Sequence, residues 1–414
     1  MLQDLLNRLD AKSLGDALPD KWTRAQKDFP PERYASEFLT SEAIAENMRK
    51  SDLDDSYREP LEKMAGRVKA DSDLLALAAY AHWRIFRDED PKREYDWPTL
   101  EKKLGDDSKL FYLLVALGFA VEYERRQAPF SIPETVIRNT CQQTARYAEN
   151  YRYGTGRFGI YPGQLCWFKC YFPPARYYRI GRLEFCQGTY RSPFRFYRNK
   201  WNGKIVALAL ADTWYTAEGR APFPDLPRPD DAWQPTFEER DGFAIGYPLG
   251  ENGCVQRTLL PLSLSNWDLV LQPGDPILDT HIPSGGGMRP ELVRDSLKEA
   301  LHFFDAHFPD SHVRGFTSGS WIFSPQLKEM LPADSNILAF QDMLHILPCG
   351  APRGSGLWFV FLCPGPYDGS TELPTDTSLR RNIANWLKKG KPFQEGAMLL
   401  LREEAEAMPA DVRR

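Results

Sequence analysis

Residues 275–290, DPILDTHIPSGGGMRP, decide the fold of the second half of this 414-residue chain. The first nine of these residues predict a short strand that ends at Pro283. Three consecutive glycines, Gly285, Gly286 and Gly287, then form a turn. Pro290 suits the first turn of a helix, where its fixed φ is favourable and its missing amide hydrogen is not needed. The segment therefore predicts a strand, a glycine turn and a helix.

The residues that follow extend this pattern. Apolar residues recur every three or four positions from Val293 to Phe308, which predicts a helix with one buried face. Pro309 ends the helix, and residues 313–323 predict a second strand, with a further helix starting at Ser324–Pro325. A strand, a helix and a following strand form a βαβ unit.

The glycine turn has two interpretations. Glycines leave backbone amides accessible at a helix N-terminus, where amides and helix dipole together favour a phosphate. The same glycines are also compatible with a simple turn. Two phosphate sites are excluded, because no Gly-Lys-Ser/Thr follows the glycines and their spacing does not match the dinucleotide fingerprint.

The composition of the chain limits the classes of protein to which it can belong. Hydrophobic residues make up 42% of the chain and charged residues 26%, as in globular proteins, and the length favours two domains. A net charge of −5 argues against nucleic acid as a partner. The N-terminus does not resemble a signal peptide, and the longest apolar stretch, residues 111–121, is too short to cross a membrane. Seven scattered cysteines favour a reducing compartment, so we expect a cytoplasmic protein with no membrane association.

The pattern along the chain predicts an α+β protein. Residues 1–150 are helical in pattern and predict an all-helical N-terminal domain. Residues 151–414 predict a mixed α/β domain whose central sheet is mostly antiparallel. Its early strands are residues 181–186, a hairpin of 193–198 with 204–210 through Asn202–Gly203, and a hairpin of 243–248 with 255–260. Residues 221–234, rich in proline and aspartate, predict an irregular surface loop.

Four further elements are predicted near the C-terminus. A helical pattern runs from Asn336 to Leu347, and the apolar run of residues 357–363 is typical of a buried strand. Residues 378–389 predict a short helix, and residues 397–401 a last strand.

Four short motifs resemble a known family. They are GRLEF at residues 181–185, HIPSGG at 281–286, Ser320–Trp321 with the helix start at Ser324–Pro325, and DSNI at 334–337. Together they resemble bacterial acyltransferases that join a helical N-acyltransferase N-terminal domain to a GNAT-like C-terminal domain. The resemblance covers nearly the whole chain.

The resemblance implies a function and a donor site. It implies transfer of an acyl group from acetyl-CoA or a longer acyl-CoA to a small-molecule amine or hydroxyl acceptor, directly in a ternary complex and without a metal. It does not supply an established catalytic set or an oligomeric state. The residues then expected to contact coenzyme A are Ile282, Ser284, Gly285, Gly286, Gly287 and Met288.

Three side chains are candidates for proton transfer in such a reaction. His281 lies two residues after Asp279 on the same strand face, where it acts as a base, hydrogen-bonds the acceptor or caps the strand end. Glu184 is a general base, a group that recognises the acceptor amine, or the partner of Arg182 in a structural or solvent-facing pair. Ser320 hydrogen-bonds the thioester carbonyl, assists the leaving thiolate or caps the end of its strand.

Other functions are less well supported by the residues. Cys166 and Cys170 have no second pair of ligands nearby, so we expect no zinc site. The alternating tyrosines and arginines of residues 151–182 indicate either a single-stranded nucleic-acid surface or a domain junction, and the net charge favours the junction. Two functional alternatives stay open: a non-catalytic GNAT-like module that binds a metabolite or a protein, and a hydrolase, which lacks a clear nucleophile here.

Overall fold

A computed structural model of the chain describes residues 2–11, 14, 19–93, 96–173, 176–211 and 213–409. The chain divides into two compact units, Met1–Ile180 and Gly181–Arg414. The predicted domain boundary near residue 150 falls inside a helix, Gln143–Thr155, of the first unit.

The first unit is helical, as predicted. In its described part the only strand is the short β1 at its C-terminal end. No helix of the described chain has the length and apolarity needed to cross a membrane. The elements are α1 (Leu2–Arg8), α2 (Pro19–Asp28), α3 (Pro31–Phe38), α4 (Ser41–Ser51), α5 (Arg58–Ala70), α6 (Ser72–Phe86), α7 (Glu101–Leu104), α8 (Ser108–Ala116), α9 (Phe119–Gln127), α10 (Glu134–Cys141), α11 (Gln143–Thr155), α12 (Leu165–Phe168) and β1 (Tyr178–Ile180).

A buried ionic network lies in the core of this unit. Glu122, 2% exposed, accepts hydrogen bonds from Arg87 at 2.8 Å and Arg125 at 3.2 Å, and its Oε1 lies 3.1 Å from Nε2 of His82. Burial alone would raise the pKa of Glu122, but these partners lower it to about 2. His82 is therefore a core residue that is bonded to Glu122 through Nε2, and burial lowers its pKa.

The second unit holds two packed sheets. Its elements are β2 (Leu183–Thr189), β3 (Phe194–Asn199), β4 (Ile205–Ala209), β5 (Glu238–Arg240), β6 (Phe243–Pro248), β7 (Leu260–Ser263), β8 (Trp267–Leu271), β9 (Pro276–His281), α13 (Pro290–His307), β10 (Gly315–Ser320), α14 (Leu327–Met330), α15 (Asn336–Gln341), β11 (His345–Pro348), α16 (Leu357–Phe361), α17 (Ser378–Lys388), β12 (Gly396–Leu401) and α18 (Arg402–Ala407).

The first sheet of this unit confirms the predicted architecture. Its strands lie in the order β2-β9-β10-β12-β11, and only the β9–β10 pair is parallel. Strand β9, helix α13 and strand β10 thus form the βαβ unit that the glycine segment predicts. The sheet is mostly antiparallel, as expected.

The second sheet has the order β5-β6-β4-β3-β8, with β7 paired to β6. The predicted hairpin between β3 and β4 is confirmed, with Phe194 opposite Ala209. Side chains of the two sheets form one apolar core, in which Phe194 and Phe196 of the second sheet meet Ile277 and Leu399 of the first.

The predicted strand over residues 357–363 is wrong, because this segment forms helix α16. Leu357, Val360 and Phe361 are buried while Phe359 is 57% exposed, which is the spacing of a helix face. These buried residues pack with helix α17 in a core of their own. A short apolar run fits a buried strand as well as a helix, so its periodicity does not discriminate between the two structures.

Three other predicted boundaries also differ. The helix expected from Asn336 to Leu347 ends at Gln341, and residues 345–348 form β11 instead. The helix expected at Ser324 begins at Leu327. The second predicted hairpin pairs β6 with β7, Phe243 lying opposite Ser263, and residues 249–255 close a separate loop through a bridge between Leu249 and Val255.

We expect Glu122→Gln to destabilise the first unit by about 3–5 kcal/mol at pH 7, because it leaves Arg87 and His82 buried beside a neutral group. The pKa of Glu122 is depressed, so its stabilisation is present above the unfolded pKa of about 4.3 and is lost as pH falls towards 2. Native-state hydrogen exchange of α6 and α9 amides in the full-length protein measures this effect.

The matched control is Glu124→Gln in the same helix. Glu124 is 36% exposed and pairs with Lys50 at the surface, so its loss should change stability by less than about 1 kcal/mol. Equal effects of the two substitutions would show that the buried network does not stabilise this unit.

Candidate functional site

The parallel pairing of β9 and β10 is short. Their register consists of two pairs, Leu278 with Phe316 and Asp279 with Thr317. On its other side β9 pairs with β2 as far as His281, and β10 pairs with β12 as far as Ser320. The C-terminal ends of β9 and β10 are therefore each paired with an outer neighbour, β2 or β12, but are not paired with each other. They form the two arms of a wedge, which we call the β9–β10 wedge.

The glycine loop continues the β9 arm. Gly285, Gly286 and Gly287 have φ values of +80°, +73° and +64°, a left-handed conformation that glycine adopts without the steric cost of a side chain. Among the described residues, the amides of these glycines and of Met288 donate no hydrogen bond. Helix α13 starts directly afterwards, and no side chain caps its N-terminus. Free amides and the positive end of the helix dipole thus lie together, an arrangement that binds anions.

Arg182 fixes the position of this loop. Its Nε donates to the carbonyl of Gly287 at 2.6 Å and its Nη1 donates to the carbonyl of Pro283 at 2.8 Å. The side chain is only 9% exposed. Arg182 therefore binds the carbonyl groups of the loop, which leaves the glycine amides available on another side.

The other predicted donor-site residues lie on the same segment. Ser284 and the three glycines are exposed, Ile282 is half-buried, and Met288 is buried with 6% exposure. Exposed backbone next to a buried anchor at Met288 is consistent with a rigid, accessible loop. The structure brings all six predicted residues to the mouth of the β9–β10 wedge.

Two of the predicted catalytic residues lie together. Glu184 on β2 is directly opposite His281 on β9, and Cys186 is opposite Asp279. Because side chains alternate along a strand, these four residues share one face of the sheet. Glu184 is 1% exposed, whereas His281 is half-buried.

Asp279 lies at the closed end of the wedge, and the space that its carboxylate occupies is left free by a neighbouring glycine, Gly188. A Cβ atom on Gly188 would lie 2.4 Å from Oδ2 of Asp279, so the carboxylate occupies the space above this glycine. Burial raises the pKa of Asp279, and Arg191 opposes this shift. Among the described residues, the carboxylate accepts no hydrogen bond and forms no ion pair. Asp279 is thus a half-buried carboxylate whose negative charge is only weakly stabilised, by Arg191.

Ser320 is not brought to the same face. Thr317 is aligned with Asp279, so alternation along β10 places Ser320 on the opposite face from Asp279 and His281. It ends β10 at the tip of the second arm of the wedge, opposite Gly396 of β12. Ser320 therefore borders the wedge but not the group formed by Glu184, Asp279 and His281.

The role of Gly188 does not follow from the sequence patterns alone. A single glycine within a strand is a signal for close approach of another group, but it does not indicate which group approaches. For metals, the described residues contain no cluster of three or more histidine, cysteine or acidic side chains.

Comparison with known proteins identifies the two halves. Residues 42–172 match the N-acyltransferase N-terminal domain, and residues 177–399 match the GNAT-like C-terminal domain. No curated protein sequence matches the chain.

Several solved structures share the fold. A crystal structure of an acyltransferase in complex with decanoyl-CoA and teicoplanin is 21% identical, with a TM-score of 0.63, and the match covers 96% of this chain and 98% of the other. The complex of an acyltransferase with CoA and 10C-teicoplanin gives 22% identity and a TM-score of 0.62 over the same shares. A mutant acyltransferase with octanoyl-CoA gives 22% identity and a TM-score of 0.57, over 87% of this chain and 88% of the other.

At these identities the solved structures establish the fold, whereas the family follows from the domain matches. The GNAT-like match alone spans more than half of the chain. The protein therefore belongs to the acyltransferase family in which an N-acyltransferase N-terminal domain precedes a GNAT-like C-terminal domain.

Proposed function

We propose that this protein is a cytoplasmic acyl-CoA-dependent acyltransferase that acts on a small-molecule amine or hydroxyl acceptor in a ternary complex. The observation that carries the proposal is the β9–β10 wedge leading into free amides at the start of α13. The solved structures that share the fold include complexes with decanoyl-CoA, octanoyl-CoA and CoA, which supports the same donor here.

The donor would bind along the β9 arm. The pyrophosphate of coenzyme A would accept hydrogen bonds from the amides of Gly285, Gly286, Gly287 and Met288. The amides of the pantetheine arm resemble a peptide backbone, so they would pair with the open edge of β9 at Thr280 and His281 as an added strand does. Ile282 and Ser284 would contact the donor between these two parts. The thioester would then lie near Asp279, at the closed end of the wedge.

Acyl transfer would occur on the face that carries the acidic residues and the histidine. The acceptor nitrogen or oxygen attacks the thioester carbonyl carbon, the carbon–sulfur bond breaks, and coenzyme A leaves as a thiolate. The proton of the acceptor goes to a base on this face, and a proton returns to the thiolate. His281 would be this base, and the buried Glu184 opposite it would orient the imidazole ring.

Asp279 and Ser320 would assist in different ways. The raised pKa of Asp279 makes its carboxylate a stronger base than an exposed aspartate, which suits it to receive a proton near the thioester. Ser320 lies at the tip of the β10 arm, where its hydroxyl would hydrogen-bond the part of the pantetheine arm that enters the wedge.

A first prediction concerns the glycine loop. Gly286→Asp places a carboxylate beside the expected pyrophosphate, so decanoyl-CoA should no longer raise the melting temperature of the protein in a thermal-shift titration. Gly286→Ala is the control, because it introduces the same left-handed strain at φ +73° without a charge. We expect at least tenfold weaker binding in the aspartate variant than in the alanine variant.

Equal binding by the two variants would rule out a phosphate at this position. A wild-type protein that melts cooperatively and is not stabilised by any acyl-CoA would favour the non-catalytic module instead.

A second prediction concerns His281. His281→Asn should lower kcat by about 10²–10⁴-fold and leave the KM for acyl-CoA nearly unchanged, because a general base acts on the acceptor rather than on the donor. Release of the CoA thiol in the presence of an amine that supports turnover measures both constants. His302→Asn on the exposed surface of α13 is the control and should behave as wild type. An unchanged kcat in His281→Asn would remove His281 as the base.

A third prediction concerns Asp279 and stability. The folded protein holds the Asp279 proton more tightly than the unfolded chain does, so ionised Asp279 destabilises the fold above its raised pKa. Asp279→Asn should therefore raise the melting temperature at neutral pH while lowering kcat. The stability gain should shrink as pH falls through the raised pKa and disappear where aspartate is protonated in both states.

Thermal unfolding of both proteins between pH 4 and 8 measures this difference, with the exposed Asp310→Asn as control. A lower melting temperature for Asp279→Asn at neutral pH would show that the carboxylate has a stabilising partner, contrary to the site described above.

A further inference from the structure

The proline-rich loop after β4 forms one wall of a cavity in the C-terminal unit. This cavity has a volume of about 400 Å³ and lies between residues 216–229 and residues from α14, α17 and the segment before β12. It shares no residue with the glycine loop or with the face that carries His281. The cavity is therefore separate from the β9–β10 wedge.

Hydrogen bonds and an ion pair hold this loop in place. Gln394 Nε2 donates to the carbonyl of Ala221 at 2.6 Å, and Arg353 Nε donates to Asp225 at 2.9 Å. Gln326 fixes the opposite wall, since its side chain donates to the carbonyl of Pro392 and accepts from the amide of Gln394. Long loops without regular structure that are nevertheless held by specific contacts are commonly functional.

Most of the cavity lining is apolar. Phe223, Leu226 and Trp386 contribute large side chains, and four prolines add rigid apolar surface. Leu226, which is 41% exposed, extends this apolar lining towards solvent. The glutamine amides of the wall are already bonded to backbone groups, so the wall offers mainly apolar contact.

One cation in the lining makes no side-chain hydrogen bond to the described residues. Within the described residues, the guanidinium of Arg220 makes no hydrogen bond or ion pair, and its Nε is shielded from solvent. The other charges have partners: Glu218 accepts from the hydroxyl of Thr216 at 2.8 Å and its pKa is lowered by this bond and, to a smaller extent, by the charge of Arg220, while Lys391 lies 3.8 Å from Glu329 and 4.2 Å from the centre of the Trp386 ring. Because the side chain of Arg220 is half-buried in the lining and bonds no acceptor among the described residues, a ligand that supplies a carboxylate would gain charge-assisted hydrogen bonds there.

We infer that this cavity binds a small molecule with a single carboxylate on an apolar, ring-sized body. The carboxylate matches the planar donor pattern of Arg220, and the body packs against Phe223 and Trp386. A monoanion is favoured over a phosphate because Glu218 and Glu329 also line the cavity and repel a second negative charge. The volume lies at the small end of the range for ligand pockets.

Isothermal titration of the full-length protein tests the ligand class. The probes are phenylbutyrate, the neutral alcohol phenylbutanol, and phenyl phosphate. Phenylbutyrate should bind saturably, and the other two at least tenfold more weakly. The inference is overturned if the carboxylate does not saturate, if the alcohol binds as well as the acid, or if the phosphate ester binds more tightly.

Two variants test the site. Arg220→Leu should weaken phenylbutyrate binding at least tenfold, whereas Arg228→Leu should not, because Arg228 lies in the same loop but stacks on Trp214 outside the cavity lining. Gly286→Asp should bind phenylbutyrate normally, since this inference does not depend on acyl-CoA binding. Loss of binding in Gly286→Asp, or its retention in Arg220→Leu, would place the probe elsewhere.

A measurement on the wild-type protein covers the case in which Arg220→Leu does not fold. Photo-crosslinking with a diazirine-bearing benzoate, mapped by mass spectrometry, should label peptides within residues 216–229 and 386–394, and excess phenylbutyrate should suppress the labelling. Labelling confined to other peptides would overturn the inference.

Discussion

The two-pair parallel contact between β9 and β10 is the constraint on which the rest of the candidate site depends. Both strands are fully paired on their outer sides, so neither is free to move towards the other. Inside a sheet, unpaired backbone groups are unfavourable unless water or a ligand satisfies them. The arms of the wedge therefore combine rigidity with hydrogen-bonding capacity, which is what a peptide-like pantetheine arm requires.

The position of the proposed anion site follows from how α13 is attached to this sheet. The hydroxyl of Ser296, in the middle of the helix, accepts from the amide of Leu183 at 3.0 Å, and Gly181 leaves room for Ser296 beside it. Arg182, one residue on from Gly181, bonds the carbonyls of the glycine loop. A segment of three residues at the start of β2 thus positions both the helix and the loop that precedes it. Sequence separation between residues 181–183 and 283–296 is large, so this coupling is a property of the fold and not of a local motif.

That distinction explains what could be predicted from the sequence. The βαβ unit and the glycine loop follow from local patterns, because the strand, turn and helix signals lie within a continuous stretch of residues. The alignment of Glu184 with His281 depends on the register of two strands that are far apart in the chain, and no local signal sets it. For the same reason, no local pattern indicates that Ser320 lies on the other face of the sheet from His281, where the parallel register with β9 places it. Helix α16 was misread because five apolar residues fit a strand as well as a helix whose outer face is partly exposed.

Two acidic residues of this chain, Glu122 and Asp279, differ in whether nearby cations offset the effect of burial on their pKa. Glu122 is almost fully buried, yet its hydrogen bond with His82 and the charge and hydrogen bond of Arg87 outweigh burial and lower its pKa to about 2, so its charge stabilises the core. Asp279 is less buried, yet its pKa moves in the opposite direction, because burial exceeds the effect of Arg191. Gly188 keeps open the space that this carboxylate occupies, and any side chain there would displace it. Because of this raised pKa, ionised Asp279 costs stability at neutral pH, a cost that an asparagine at this position would not carry. The position of Asp279 at the closed end of the wedge, two residues from His281 on the same face of β9, supports the proposal that it receives a proton during acyl transfer.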